Sequence, residues 1–302
     1  MNRPIYKLRD WVDINKLDFC YLSLNPNAID LLMEYKNKIN YGYLSLNTNP
    51  NAIHLMKNNI DCLDWSNLSS NPIALELLKK YPRLINWSQL CTNESYGAVE
   101  ILKKNKRRIK WSLLALNPFA MELLLENPDL IDWSNLSSNT NPLAIELLKE
   151  NPDKINWYRL SSNPAAMELF KIYPDKVDLL NLSVNTNPKI INLFLKPRLD
   201  NKISWRLLSN NANAIDFLKA YPDEINWSML STNANAIELL KANTEKIDWF
   251  MLSTNPSIFE LDYERMEKNN QEMYEELITE VMKPSRVFKN PDYDYIEELF
   301  GD

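Results

Sequence analysis

Glycine is nearly missing from this chain of 302 residues, which carries only Gly42, Gly97 and Gly301. A phosphate-cradling loop or a dinucleotide fingerprint needs several glycines at fixed offsets, because only Gly lets backbone approach phosphate closely. Neither motif can be assembled here. Histidine is scarcer still: His54 stands alone, which removes His-based zinc clusters and makes any Ser-His-Asp site depend on one residue. Cys20, Cys62 and Cys91 are odd in number and lack a paired spacing, so neither a disulfide framework nor a zinc ribbon is expected. Reduced thiols of an intracellular protein are the expectation. Positive charge is in deficit, with 34 Lys and Arg against 40 Asp and Glu and a net charge of −6. That balance argues against a general nucleic-acid binder, which carries a basic footprint. No apolar run approaches the ~20 residues that cross a bilayer. Met1 to Lys7 shows no apolar segment of a secretory signal. The absences together point to a soluble chain with no cofactor, no metal, no catalytic residues, no nucleic acid and no membrane partner.

What the chain does have is repetition. A slot followed three positions later by Leu recurs eleven times, aromatic in all but one copy: Phe19, Tyr41, Trp65, Trp87, Trp111, Trp133, Trp157, Leu179, Trp205, Trp227 and Trp249. The slots are 22, 24, 22, 24, 22, 24, 22, 26, 22 and 22 residues apart, so a 46-residue double unit underlies the single one. Three longer units owe their length to a Thr-Asn insertion, as in Asn47-Thr48-Asn49-Pro50, Asn139-Thr140-Asn141-Pro142 and Asn185-Thr186-Asn187-Pro188.

Each unit reads as two short helices. One opens at Asn-Pro, as in Asn25-Pro26, Asn71-Pro72 and Asn163-Pro164. Asn suits the N-cap because it accepts from a free N–H, and Pro suits the first helical position because no donor is needed there. The pattern Ala144-Ile145-Glu146-Leu147-Leu148 then sets apolar groups on one face. A second Pro, as in Tyr81-Pro82 and Tyr221-Pro222, stops that helix and opens the next, whose Ile131, Trp133 and Leu136 are expected to face one side. Helices of two turns do not stand alone in water and must stack. The expected fold is an all-α solenoid of about eleven helix-turn-helix repeats of 22–26 residues, an arc of roughly 100 Å at a helix spacing of ~8–10 Å. The domain plan is an N-terminal cap over 1–18, the repeats over 19–261, a helical C-terminal cap over 262–289 and an acidic tail over 290–302. Tyr263 to Met282 supplies the cap helix, and a basic patch runs from Lys283 to Lys289.

Candidate sites follow from the slots. Trp and Leu at i and i+3 share a face, so the aromatic column is expected in the core. The second helix carries a column of Asp30, His54, Glu76, Glu100, Glu122, Glu146, Glu168, Asn192, Asp216, Glu238 and Glu260. Lysines three residues further on, such as Lys103, Lys149 and Lys171, neutralise it, so a solvated face is favoured over a binding stripe. An evenly exposed column also cannot split carboxyl pKa values for acid–base work, and His54 is one more member of it. The Asn of each turn forms a second ladder, able to cap its own helix and to bond backbone of a neighbouring unit. The two residues after the aromatic slot are small or polar in mid-chain, as in Ser66-Asn67, Ser88-Gln89 and Ser134-Asn135. Later they become Tyr158-Arg159, Arg206-Leu207, Ser228-Met229 and Phe250-Met251. Tyr, Arg, Met and Phe are enriched in protein interfaces, so Tyr158, Arg159, Arg206, Leu207, Met229, Phe250 and Met251 are the candidate partner-binding residues.

The unit Ile-Asn/Asp-Trp-x-x-Leu-Ser-x-Asn-Pro-x-Ala-Ile-x-Leu-Leu-Lys resembles the short tandem-repeat proteins encoded in many copies by giant DNA viruses of the mimivirus type. Tyr6-Lys7-Leu8-Arg9-Asp10-Trp11, Pro256 to Tyr263 and Lys283-Pro284-Ser285-Arg286 resemble that family's flanking segments, so the likeness covers nearly the whole chain. Departures fall at Asn93-Glu94-Ser95-Tyr96, at Leu179 and at Asn211-Ala212 and Asn233-Ala234. The family brings no established activity; the resemblance implies the architecture and a viral origin, with the host cytoplasm as the place of action. The function expected is a non-enzymatic scaffold that binds a host or viral protein along one helical face. The alternatives are a virion or replication-site component acting by self-association, and a helical-repeat nucleic-acid reader, which would need a basic groove. The sequence leaves the oligomeric state open.

Overall fold

The computed structural model describes residues 4–195 and 203–281. The basic patch expected at 283–289, the acidic tail at 290–302 and the end of the expected C-terminal cap lie outside the described residues. The described residues divide into two compact units, a repeat body within Arg9–Phe259 and a smaller unit made of 4–8 and 260–281.

The repeat body is an all-α helical repeat array, and the unit around Trp157 shows how it is built. Pro152–Lys154 forms a 3-10 turn rather than the start of the Trp helix. Ile155 follows in extended conformation, at φ −69° and ψ 127°, outside the helix in which it was expected. Asn156 is the N-cap; its side chain accepts from Arg159 N–H, and helix A runs Trp157–Ser161. Asn163 then turns the chain, accepting from Ala165 N–H at 2.9 Å. Helix B follows as Met167–Ile172, and Tyr173 ends it before the next Pro turn.

The cap in front of helix A is general. Asp18, Asn40, Asp64, Asn86, Asp132, Asn156, Asp178, Ser204, Asn226 and Asp248 each accept a backbone N–H of the first turn. Lys110 stands in that place in one unit and makes no side-chain cap. A second row follows from Ser at the end of helix A. Ser161 Oγ donates to Trp157 O at 2.8 Å and accepts from Asp178 N–H of the next unit at 2.9 Å. Cys91 fills the same place with its thiol, between Trp87 O and Lys110 N–H, whereas Ala115 has no group to do so.

The core is aliphatic. Leu22, Leu44, Leu68, Leu90, Leu114, Leu136, Leu160, Leu182, Leu208, Leu230 and Leu252 are all at 0% exposure, and Ala28, Ala74, Ala144 and Ala236 are as deeply buried. The tryptophans do not join them, contrary to the expectation of an aromatic core: every Trp of the repeat is half-buried. Spacing i, i+3 fixes the face and not the depth, and an indole is too large for the gap that Leu fills. The rims of Trp65, Trp87, Trp133, Trp157, Trp205, Trp227 and Trp249 instead carry a cation or a Tyr. Lys154 Nζ lies 4.2 Å from the Trp133 ring centre, Lys246 lies 4.7 Å from that of Trp227, and Trp157 meets Tyr173 edge-on at 5.2 Å.

The buried Asn ladder joins the units and decides the topology. Asn163 Nδ2 donates to Ser137 O at 3.1 Å and Asn139 O at 2.8 Å, both in the preceding unit. Asn47, Asn71, Asn93, Asn117, Asn139, Asn185, Asn211 and Asn255 repeat this pair of bonds, and Asn233 is bonded to Ser209 O. Asn25 of the first unit has no unit before it in sequence, yet it donates to Ser253 O at 3.0 Å and Asn255 O at 2.9 Å of the last. Asp18 N–H meets Ser253 Oγ at 2.8 Å, as Asp178 N–H meets Ser161 Oγ, and Lys16 Nζ lies over Trp249 at 4.8 Å, as Lys154 lies over Trp133. The eleven units therefore close into a ring. The arc expected from the sequence thus closes on itself: the last unit covers the face of the first, and residues 9–18, expected within a cap, belong to the repeat body, with Ile14–Lys16 as its first 3-10 turn.

Strand Tyr6–Leu8 pairs with strand Phe259–Leu261, and within the smaller unit Asp262 N–H donates to Ile5 O at 2.9 Å. A helix of 19 residues, Tyr263–Val281, follows. Its Met273, Tyr274 and Leu277 are exposed.

Candidate protein-binding arc on the A helices

Helix A carries the aromatic slot at its first position, so the next two residues start the helix on its open side. Successive A helices pack directly on one another, as Trp205–Asn210 does on Trp227–Ser231 and that helix on Trp249–Leu252. Two rows of side chains thus run round the ring, one from each position.

Where these rows are polar, the side chains serve the ring itself. Asn86 Nδ2 donates to Ser66 Oγ at 3.0 Å, and Asn156 Nδ2 to Ser134 Oγ at 2.7 Å, each from the following unit. Asn67 Nδ2 donates to Gly42 O at 3.2 Å and Asn135 Nδ2 to Ser112 O at 2.9 Å. Ser228 Oγ donates to Asp248 Oδ2 at 2.6 Å. Small polar residues here are structural, bonding one unit to the next.

Where the rows turn large, several side chains meet solvent. Tyr158 is 58% exposed, Phe250 48% and Leu180 45%, and Arg159 and Arg206 are also exposed. Leu207, Met229 and Met251 are half-buried. Arg206, Leu207, Met229, Phe250 and Met251 lie on three consecutive helices. Tyr158 and Arg159 sit two units earlier, joined to them in sequence order by Leu180.

Ring closure extends this arc in a direction that sequence order hides. The Phe250 ring lies 4.1 Å from that of Tyr21 in the first unit, and Tyr21 lies 5.6 Å from Tyr43 in the second. Tyr21 and Tyr43 hold the same slot as Met229 and Met251. They were missed because they open the chain while the other members close it; two tyrosines in the slot were the available signal. The hydroxyl of Tyr21 is held above the usual tyrosine range, first by burial against its neighbours and then by the Tyr43 hydroxyl beside it. The arc is neutral and aromatic at its centre, with Arg159 and Arg206 on its flank.

The acidic column offers less. Glu76, Glu100, Glu122, Glu146, Glu168, Asp216 and Glu238 are exposed, as is His54, whereas Asp30 is buried. Lysines answer it both within a helix and across units. Lys149 meets Glu146 at 2.9 Å and Lys171 meets Glu168 at 2.8 Å, while Lys57 meets Glu76 at 2.7 Å and Lys103 meets Glu122 at 2.9 Å. These contacts hold the Glu76, Glu122 and Glu168 carboxyls below the usual range. Among the described residues, no three His, Cys, Asp or Glu side chains come together as a metal site, and no helix is long and apolar enough to cross a membrane. Cys20, Cys62 and Cys91 are free thiols, and burial pushes that of Cys91 up. In comparisons with known proteins, no family model, no curated sequence and no solved structure matches this chain.

Proposed function

We propose that the ring is a non-enzymatic scaffold that binds a host or viral protein across the arc from Tyr158 through Phe250 to Tyr43. What carries the reading is the contrast within one pair of slots. Ser and Asn there bond unit to unit, as Ser228 still does within the arc, whereas Tyr158, Arg159, Leu180, Arg206 and Phe250 in the same slots stand exposed. Large aromatics and Arg flanked by polar surface have the composition of an interface centre. The viral origin rests on the resemblance of the repeat unit and its flanking segments, and the host cell as the place of action rests on the same likeness.

Affinity capture from host cells, compared between the wild-type chain and a Y158S/F250S variant, tests the reading. The expected result is one protein captured by the wild type and lost at least tenfold by the variant, with the circular dichroism of the two unchanged. A tenfold loss corresponds to about 1.4 kcal/mol, well within the effect of a central aromatic contact. Capture that is indifferent to both substitutions, or that is abolished by ribonuclease, would contradict it.

A further inference from the structure

A second pattern lies away from this arc, where helix B gives way to the 3-10 turn. Two positions in each unit, seven and four residues before the aromatic slot, occupy equivalent places on successive turns. In four consecutive units they read Lys80 and Arg83, Lys104 and Arg107, Glu126 and Asp129, Glu150 and Asp153. Two basic rungs are thus followed by two acidic ones. All eight side chains are exposed, and none has an ion-pair partner among the described residues. This sets them apart from the nearby column of Lys and Glu on helix B, where Glu76, Glu100, Glu122, Glu146 and Glu168 each meet a lysine. The basic side holds a depression of about 430 Å³ lined by Lys103, Lys104, Asn105, Lys106, Arg107 and Arg108. Leu84, Leu125 and Leu130 lie exposed among these charges at 46%, 44% and 47%.

One of these units also gives up stability for charge. Ten units place Asp, Asn or Ser before helix A as a cap, and this one places Lys110, which makes none. Loss of a cap costs ~1 kcal/mol. Sites that break the local rule of a repeat without a packing gain are where function is found.

The order basic, basic, acidic, acidic is its own complement when reversed. We propose that this edge pairs with the same edge of a second copy about a two-fold axis lying between the rung of Arg107 and the rung of Asp129. Lys80 and Arg83 then face Glu150 and Asp153 of the second copy, and Lys104 and Arg107 face Glu126 and Asp129. The axis generates the same pairs again in the other direction, so the contact closes at a dimer. At ~10 Å per unit the paired edge spans ~30 Å. The three exposed leucines supply apolar area between the charges. A long polyanion fits the edge less well, because the acidic rungs adjoin the basic ones and repel it.

Sedimentation equilibrium of the full chain measures the outcome. The wild type is expected at twice its mass of 35.5 kDa in low salt. It falls to the single mass near 1 M salt, where the screening length shrinks to ~3 Å. The variants K104E/R107E and E126K/D129K are each expected to be monomeric in low salt, since like charges then face one another. An equimolar mixture of the two restores every opposite pairing and is expected to run at twice the mass again. Circular dichroism equal to that of the wild type establishes that each variant is folded. A wild type that stays monomeric in low salt overturns the proposal, and so does a mixture of folded variants that does not associate. Monomeric wild type that binds an oligonucleotide would replace it with a polyanion site.

Discussion

The side-chain amide of Asn25 donates to the carbonyl of Asn255 at 2.9 Å, across 230 positions of sequence. The same bond joins Asn163 to Asn139 at 2.8 Å, across 24. Asn25→Ala and Asn163→Ala are therefore expected to destabilise equally in urea. Each removes two buried donor bonds and a cap, leaving carbonyls unsatisfied at ~1–3 kcal/mol apiece. If the ends were open, Asn25→Ala would cost only the cap, ~1 kcal/mol.

The unit from Lys106 to Asn127 has two vacancies in rows that its neighbours fill. Ala115→Ser restores the hydroxyl that elsewhere accepts from the next unit's cap N–H, as Ser137 does from Asn156 at 3.0 Å. It is expected to stabilise by ~0.5–1.5 kcal/mol. Lys110→Asp restores the cap and is expected to add ~1 kcal/mol. Both are read as an increase in the urea midpoint, and no change in either would show that the rows contribute nothing.

Leu136 is fully buried and Trp133 is half-buried beneath Lys154. Leu136→Ala leaves a closed cavity and is expected to cost ~2–5 kcal/mol. Trp133→Ala opens to solvent, which can fill the gap, so it is expected to cost less than Leu136→Ala despite the larger side chain. The reverse order in thermal unfolding would return the indole to the core.

Glu122 illustrates how the surface column responds to pH. Hydrogen bonding to Lys103 and then its charge hold the carboxyl below the usual glutamate value of about 4.3. A carboxyl whose folded pKa is depressed adds stability that is present above the unfolded value and lost as pH falls through the folded one. The contribution is small, because the pair is exposed to solvent. In a carboxyl-detected NMR titration, Lys103→Met is expected to raise the Glu122 midpoint toward the usual value. An unmoved midpoint would mean the contact is not made in solution.

Sequence pattern reached the local order of this fold further than its closure. Asn at each turn was legible as cap and ladder because the residue has both an acceptor and donors, and burial leaves no other way to satisfy them. The neutralised column of Glu and Lys was legible for the same reason, since i, i+3 places the charges side by side. Helix A's own cap, Asn156 and its counterparts, went unread beside the Trp that follows. The Ser161 relay was hidden because Ser is ordinary at a helix end. Closure depends on the small rotation between units summed eleven times, and no single residue states that angle. The candidate arc was traced in sequence only as far as Met251, because Tyr21 and Tyr43 become its neighbours only in the ring.

The most direct test is the distance between the first turn, Ile14–Lys16, and the last, Thr244–Lys246. Dyes are placed at exposed Asn15 and Glu245 through introduced cysteines, in a background where Cys20, Cys62 and Cys91 are Ser. In the ring these turns are neighbours at ~10 Å, so energy transfer is expected to be nearly complete. Transfer close to zero, as an arc of roughly 100 Å would give, would contradict closure.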